Sequence, residues 1–383
     1  MASSSPDSFP TVGILGGGQL GKMMAAEAVR MNVGVRLLSP KAAGPMQAYA
    51  EAHVGDWTDP EVLRDFAAEC DVVTVESEWA PAAEAAEALP NDVDVYPSPQ
   101  TLAWVKDKGA ENERLSDAGC PVPEFARCAT LDEALQAAHA FGYPVVLKQY
   151  RGGYDGYGNA TVESDEALRE HWPDLAADDG LLVEEFAEFE RELAVQVARR
   201  PGGEHVAYPV AYTVQRNHRC HAVEVPADIP EAVAAEAQSI AQQAVEAVEG
   251  VGLVAVELFQ MPDGSILVNE LAPRPHNTGH YSIEGSHTSQ FDNHLRAILD
   301  WPLGSPDLRM PVAVMVNVLG EREGAPPRAS GLPDALRVPA VSSHIYGKPD
   351  VRHGRKMGHV TALGTERTET RERAETAAAA INL

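Results

Sequence analysis

Positive charge is what this chain has least of. Thirty lysines and arginines face 57 aspartates and glutamates, a formal net charge of −27 over 383 residues. A surface this acidic repels nucleic acid and anionic lipid, so neither is expected as a partner. Cysteine is scarce too. Cys70, Cys120, Cys128 and Cys220 form no C-x-x-C pair and no zinc-ligand spacing. That pattern predicts buried, reduced thiols rather than disulfides or a structural zinc site. No apolar run approaches the ~20 residues that cross a bilayer. The opening residues, MASSSPDSFP, are polar and lack the basic-then-apolar order of a secretory leader. The expectation is a cytoplasmic protein without membrane partners. The acids are spread along helical stretches such as AAEAQSIAQQAVEAVEG rather than gathered in a tail. This spread fits a high-salt source, where counterions screen the repulsion, or an ordinary acidic enzyme.

What is present is enough apolar sequence, 44%, for two or three cores. From residue 11 to 100, strands (TVGILG, VGVRLLS, DVVTVES) alternate with helical stretches (QLGKMMAAEAVRMN, APAAEAAEAL). Such alternation predicts a parallel sheet flanked by helices. After residue 100 the order becomes α+β. One long helix is expected over TLAWVKDKGAENERLSDAG, then strands YPVVLKQY, LLVEEF, RELAVQVARR and VAYPVAYT, and a long helix near residues 230–250. Short strands, a basic loop and an Ala-rich helix follow residue 300. The expected units are therefore 1–100, 101–300 and 301–383.

Gly16, Gly18 and Gly21 form G-x-G-x-x-G between a strand and a helix, with Gln19 inside the loop. A nicotinamide cofactor needs a carboxylate about 20 residues further on, at the end of the second strand. That strand ends in Ser39-Pro40. The loop could hold a phosphate at the helix N-terminus, or be only a tight turn.

The stretch VAVELFQMPDGSILVNELAPR carries paired acids. Reading Asp263-Gly264 as a two-residue hairpin turn sets Pro262 opposite Ser265 and, stepping outward, Glu257 opposite Glu270. Like charges facing across strands destabilise a sheet. Within an apolar frame (Val254, Val256, Leu258, Val268, Leu271) a divalent cation removes that cost. Few protein oxygens suit Mg²⁺ bound with nucleotide phosphates, and Asn269 offers a further oxygen. A three-residue loop with a bulge would change this register.

Lys148 ends the strand YPVVLK beside Gly152, Gly153, Gly156 and Gly158, whose amides can close over phosphates. Lys108 offers a second cation. In LLVEEFAEFEREL, Glu184, Phe186 and Glu192 are placed to meet a base and a ribose. The segment HIYGKPDVRHGRKMGH is a basic island suited to a phosphate-bearing substrate.

Together, GGGQLGKM, Lys148 before GGYDGYG, VEEF followed by EREL, NELAPRPHNTGH and GRKMGHV resemble the ATP-grasp superfamily over about residues 11–364. More narrowly, they resemble the N5-carboxyaminoimidazole ribonucleotide synthases. The resemblance implies an N-terminal Rossmann-like domain, a central ATP-grasp domain and a small C-terminal β-rich domain. It implies a ligase that phosphorylates bicarbonate with ATP and passes the carboxyl group to the amine of 5-aminoimidazole ribonucleotide. Mg²⁺, replaceable by Mn²⁺, would assist, and the enzyme would be a homodimer. By the same resemblance Lys108, Lys148, Glu184, Glu185, Phe186, Ala187, Glu192, Asn269 and the glycines 152, 153, 156 and 158 meet ATP. Glu257 and Glu270 hold the metal. Tyr154, Asp155, Arg274 and His276 surround the reacting amine and bicarbonate, with Asp155 or His276 as base. Gln19, Glu76, Tyr154, Arg274, Lys348, Arg355 and Lys356 bind the substrate. Asn217 or His218 lies near the nucleotide. The alternatives are a formate-dependent glycinamide ribonucleotide transformylase or a biotin carboxylase. From other classes come a nicotinamide oxidoreductase, which the missing ribose carboxylate disfavours, and a non-catalytic nucleotide-binding subunit.

Overall fold

A computed structural model describes residues 9–40, 44–46, 52–90, 93–153, 158–176, 179–216, 219–324 and 330–383. The first unit alternates as its apolar periodicity predicts. It runs β1 (Thr11–Leu15), α1 (Gln19–Arg30), β2 (Gly34–Ser39), β3 (Ala52–Val54), α2 (Pro60–Ala67), β4 (Val72–Val75), α3 (Ala82–Ala88) and β5 (Asp94–Tyr96). Among the described residues these strands pair in parallel in the order β3-β2-β1-β4-β5. Strand order reverses at β1, so the crevice past the ends of β1 and β4 is where such a sheet receives ligands. The Gly16–Gly18 turn and Glu76 both lie there.

The single helix expected next is two: α4 (Pro99–Lys106) and α5 (Lys108–Asp117). Asp107 stands between them in an extended conformation, and its carboxylate accepts from the Ala110 amide, capping α5. Lys108 thus starts a helix. A smaller layer follows, with β6 (Phe125–Cys128), α6 (Leu131–Phe141), β7 (Val145–Gln149), β8 (Asn159–Val162), α7 (Asp165–Leu175) and β9 (Leu181–Glu185). Its strands run antiparallel in the order β6-β9-β7-β8 over a core with α6 and α7.

The rest forms one large sheet. Its elements are β10 (Arg191–Arg199), β11 (His205–Ala207), β12 (Ala211–Arg216), β13 (Arg219–Val225), α8 (Glu231–Ala247), β14 (Gly252–Gln260), β15 (Ile266–Ala272), α9 (Ser282–Gly285), α10 (Gln290–Ile298), β16 (Val312–Leu319), α11 (Leu332–Ala335), β17 (Val341–Ile345), β18 (Lys356–Gly364) and α12 (Arg367–Ala380). The order is β15-β14-β10-β12-β13-β16-β18-β17, with β11 beside β10. Strands on both sides of residue 300 thus share hydrogen bonds. VAYPVAYT is two strands rather than one, and the last four residues of the expected basic segment, Lys356 to His359, belong to β18.

The two faces of this sheet differ. Leu193, Val195, Val197, Val254, Val256, Leu258, Val268 and Leu271 bury against α8. Further along, Ala222, Val314, Val316, Val360 and Ala362 bury with α12 residues Ala374 and Ala377. The opposite face carries Ala194, Val223, Ala313 and Met315 around Tyr281, and Ala194 is the register partner of Glu257. Helix α10 joins the sheets: His294 bridges the Thr74 hydroxyl (3.0 Å) and the Leu253 amide (3.0 Å). The four cysteines are buried and none is in a disulfide. Among the described residues no helix is long and apolar enough to cross a membrane.

Leu258, 1% exposed in the α8 core beside the acid pair, tests this packing. Leu258→Ala is expected to lower the unfolding free energy by about 2–5 kcal/mol in urea titrations; a loss under about 1 kcal/mol contradicts the packing described.

Candidate active site

The acid pair forms by a route other than the one expected. The hairpin closes around Pro262, Asp263 and Gly264, with Met261 N donating to Ser265 O (2.8 Å) and Gly264 in the left-handed region (φ +88°). This is a three-residue loop, not a two-residue turn, and it shifts the pairing to Gln260↔Ile266 and Leu258↔Val268. An irregularity then leaves Asn269 unpaired, after which Glu257 stands opposite Glu270. The loop displaces the register by one residue and the bulge restores it. The two carboxylates therefore share the face opposite the α8 core.

Two lysines approach the pair from other elements. Lys108, aimed by the break between α4 and α5, lies 3.0 Å from Glu270 and 2.9 Å from Glu111. Burial opposes its charge, but Glu111 and Glu270 outweigh burial and raise its pKa. Lys148 lies 2.6 Å from Glu184 and 3.4 Å from the Asn269 side-chain oxygen. Asn112 donates to the other Glu184 oxygen at 2.8 Å. Lys108 with Glu111 and Glu270, and Lys148 with Glu184 and Asn269, thus form two bonded sets side by side, and the charge of Lys148 acts on Glu270.

The electrostatics follow. Burial pushes the Glu257 carboxyl up to about 8, and the charges of Glu270 and Glu192 push the same way. Glu270 moves down because Lys108 outweighs burial. Near neutral pH Glu257 is therefore pushed toward keeping its proton while Glu270 is held ionised. A hard divalent cation would displace that proton. Among the described residues no group of three or more His, Cys, Asp or Glu converges as a metal site. The protein side of any such site is the pair, with Asn269 beside it.

His276 lies 3.6 Å from Glu257 and 3.0 Å from the Thr278 hydroxyl. Burial, then Arg274 and Lys356, hold it down at about 3, so its ring is neutral. Arg274 grips Glu78 through two nitrogens. Burial would raise the Glu78 carboxyl, but Arg274 outweighs it and holds it at about 2. Glu78 gave no signal in the sequence beyond its place after the fourth strand. Glu111 and Asn112, which hold Lys108 and Glu184, also went unread; their signal is helical spacing of three and four from Lys108.

At the front crevice, Glu76 accepts from the Gly18 amide and, at 2.9 Å, from the Gly21 amide. The protein's own carboxylate sits where a dinucleotide phosphate would lie, which weighs against the nicotinamide reading. Gln19 begins α1 beside it and is half-buried. In the cationic segment, Lys348 is 8% exposed and donates to the Lys356 carbonyl at 2.7 Å. Arg355 turns onto Asp350. Lys356 lies near enough to act on both Glu257 and His276. Lys22, not singled out in the sequence, donates to Ile345 O at 2.9 Å, joining α1 to this segment. Glu185 ends β9 exposed, and Phe186 and Ala187 follow half-buried. Glu192 accepts from Gln215 at 2.7 Å. Gly152 and Gly158 hold left-handed backbone, and Gly153 lies between them in the sequence. Tyr154, Asp155, Gly156, Asn217 and His218 lie outside the described residues.

A facing acid pair on a large sheet, met by one lysine from a helix start and another from a small antiparallel layer, is the arrangement of an ATP-grasp enzyme. Accordingly, the family model described as the ATP-grasp domain matches residues 113–291. The ribonucleotide synthetase pre-ATP-grasp domain matches residues 9–106, and the phosphoribosylaminoimidazole carboxylase C-terminal domain residues 313–373. The N5-carboxyaminoimidazole ribonucleotide synthase of Mycobacterium bovis is 41% identical over 377 residues, covering 96% of this chain and 87% of its own. That of Synechococcus elongatus is 38% identical, covering 97% and 94%. The crystal structure of the Thermotoga maritima synthetase superposes with a TM-score of 0.86 at 38% identity, covering 98% of this chain and 99% of that one. The Aspergillus clavatus synthase, solved with ADP and 5-aminoimidazole ribonucleotide, gives 0.87 at 35%, covering 97% and 98%. This chain belongs to the N5-carboxyaminoimidazole ribonucleotide synthase family.

The raised Glu257 carboxyl gives a pH test. A carboxyl whose folded pKa exceeds its unfolded value stabilises the fold below the unfolded value, near 4.5, and loses that contribution as pH rises through the folded value, about 8. Metal-free wild type minus Glu257→Gln is therefore expected to lose unfolding free energy between about pH 5 and 8. A flat difference, measured by denaturant titration across that range, contradicts the assignment.

Proposed function

We propose that this chain uses ATP and bicarbonate to carboxylate the amine of 5-aminoimidazole ribonucleotide, giving N5-carboxyaminoimidazole ribonucleotide with ADP and phosphate. The observation that carries the proposal is the acid pair on one face of the large sheet, with the charges of Lys108, Lys148 and Lys356 acting on it from three different elements. The site residues fit the role. Glu257 and Glu270 would hold Mg²⁺, with Asn269 beside them. When bound, the cation offsets the charge that builds as the γ-phosphoryl group moves to bicarbonate.

The chain's own groups do the rest. Lys148, steadied by Glu184, and Lys108, steadied by Glu111, present ammonium groups to the phosphates. The glycines 152, 153, 156 and 158 supply amides free of side chains. Glu184 to Ala187 line the base and Glu192 the ribose of ATP. Arg274, fixed by Glu78, faces the carboxyl-bearing intermediate, which must be kept from water because carboxyphosphate hydrolyses readily. His276 is held neutral, and its imidazolium is costly. Asp155 or His276 takes the amine proton, with Tyr154 beside Asp155 in the sequence. Lys348, Arg355 and Lys356 receive the substrate phosphate, and Gln19 and Glu76 its ribose. A cytoplasmic homodimer completes the reading by resemblance.

ADP release measured with and without each substrate tests this. Turnover should need both bicarbonate and 5-aminoimidazole ribonucleotide; turnover with glycinamide ribonucleotide or biotin instead would move the chain to another ATP-grasp reaction. Glu270→Ala is expected to abolish bicarbonate-dependent ADP release. Lys356→Ala should weaken 5-aminoimidazole ribonucleotide by about 2–4 kcal/mol with ATP affinity kept. A loss confined to ATP affinity overturns that role.

A further inference from the structure

A second cationic pocket lies on the other side of the large sheet. It is a cavity of about 290 Å³ lined by Arg216, Arg219, His221, Glu321, His353 and Gly354, among others. Its side of the sheet follows from contacts. Arg216 and His221 reach Glu375 of α12, at 3.5 and 3.9 Å. Helix α12 packs on the face that buries Ala222 and Val316, whereas Glu257 shares its face with Ala194, around Tyr281. The pocket therefore contains none of the residues assigned above to ATP, metal or substrate.

Its charge is unusual for this chain. In a protein of net charge −27, two arginines line this pocket with one carboxylate, Glu321, and with Glu375 shared behind them, while burial and then Arg216 hold the His221 ring toward its neutral form. Arg219 is half-buried, and its guanidinium makes no ion pair or hydrogen bond among the described residues. The buried His221 Nε2 has no hydrogen-bond partner among them either. Room for the guanidinium is built in. A Cβ on Gly354 would fall 2.0 Å from Arg219 Nη1, so a larger residue there would push the guanidinium from its present position. A partly desolvated guanidinium fork beside an imidazole nitrogen suits a phosphate, which can take two parallel N–H bonds from the arginine.

We propose that this pocket is a second anion site that binds a phosphate group, free or as a phosphomonoester, apart from the active site. The proposal does not depend on the reaction assigned above. The test follows the His221 imidazole resonance, identified by its loss in His221→Gln, during titration of the full chain with inorganic phosphate and, separately, with AMP. A saturable shift with either probe is expected, and the tighter one identifies the source. Arg219→Gln, shown to be folded by circular dichroism, should weaken the response at least tenfold. Lys356→Ala should leave it unchanged. If Arg219→Gln does not fold, Arg219→Lys is used, which keeps the charge but loses the fork and should still weaken binding severalfold. No shift with either probe, a shift that survives loss of the Arg219 fork, or one abolished by Lys356→Ala overturns the proposal.

Discussion

Two carboxylates face each other across β14 and β15, and much of the site is arranged around that opposition. Left alone the pair would repel, and burial sharpens the repulsion. The protein manages it asymmetrically. Lys108 draws Glu270 to the charged side, while Glu257, away from that lysine and near Glu192, is pushed toward holding a proton. The result is a pair poised to exchange one proton for a cation.

The surrounding fold serves this arrangement. The apolar face of the large sheet, buried on α8, fixes which side chains point the other way. The cap at Asp107 breaks one helix into two and aims Lys108. Continuity of the sheet from β15 to β18 carries Lys356 into the same field as Glu257. His294 ties the front sheet to β14, so the crevice holding Glu76 and the acid pair belong to one packed body. Charge on the back of the same sheet collects separately, around Arg219.

Much of the first unit was legible because alternating apolar strands and amphipathic helices are local patterns. Glu257 and Glu270 were read as partners, but through a turn that does not form. Asp263-Gly264 suggested a two-residue turn. The loop has three residues, and only the bulge at Asn269 returns the acids to register. A bulge depends on packing on both faces and has no short sequence signature. The break at Asp107 was missed because the flanking residues are all helix-compatible and the cap is one aspartate. Strand β18 was hidden because its first residue, Lys356, reads as part of a basic loop. Glu78, Glu111 and Asn112 were missed for a different reason: each acts on a residue distant in sequence, or on a lysine whose direction the sequence does not give.

The most direct measurement is the position of a bound metal. Crystals grown with ADP and Mn²⁺, with diffraction collected at the manganese edge, give an anomalous peak that needs no assumption about turnover. The account predicts that peak between the Glu257 and Glu270 carboxylates. Manganese coordinated by neither carboxylate, with nucleotide bound, would contradict it.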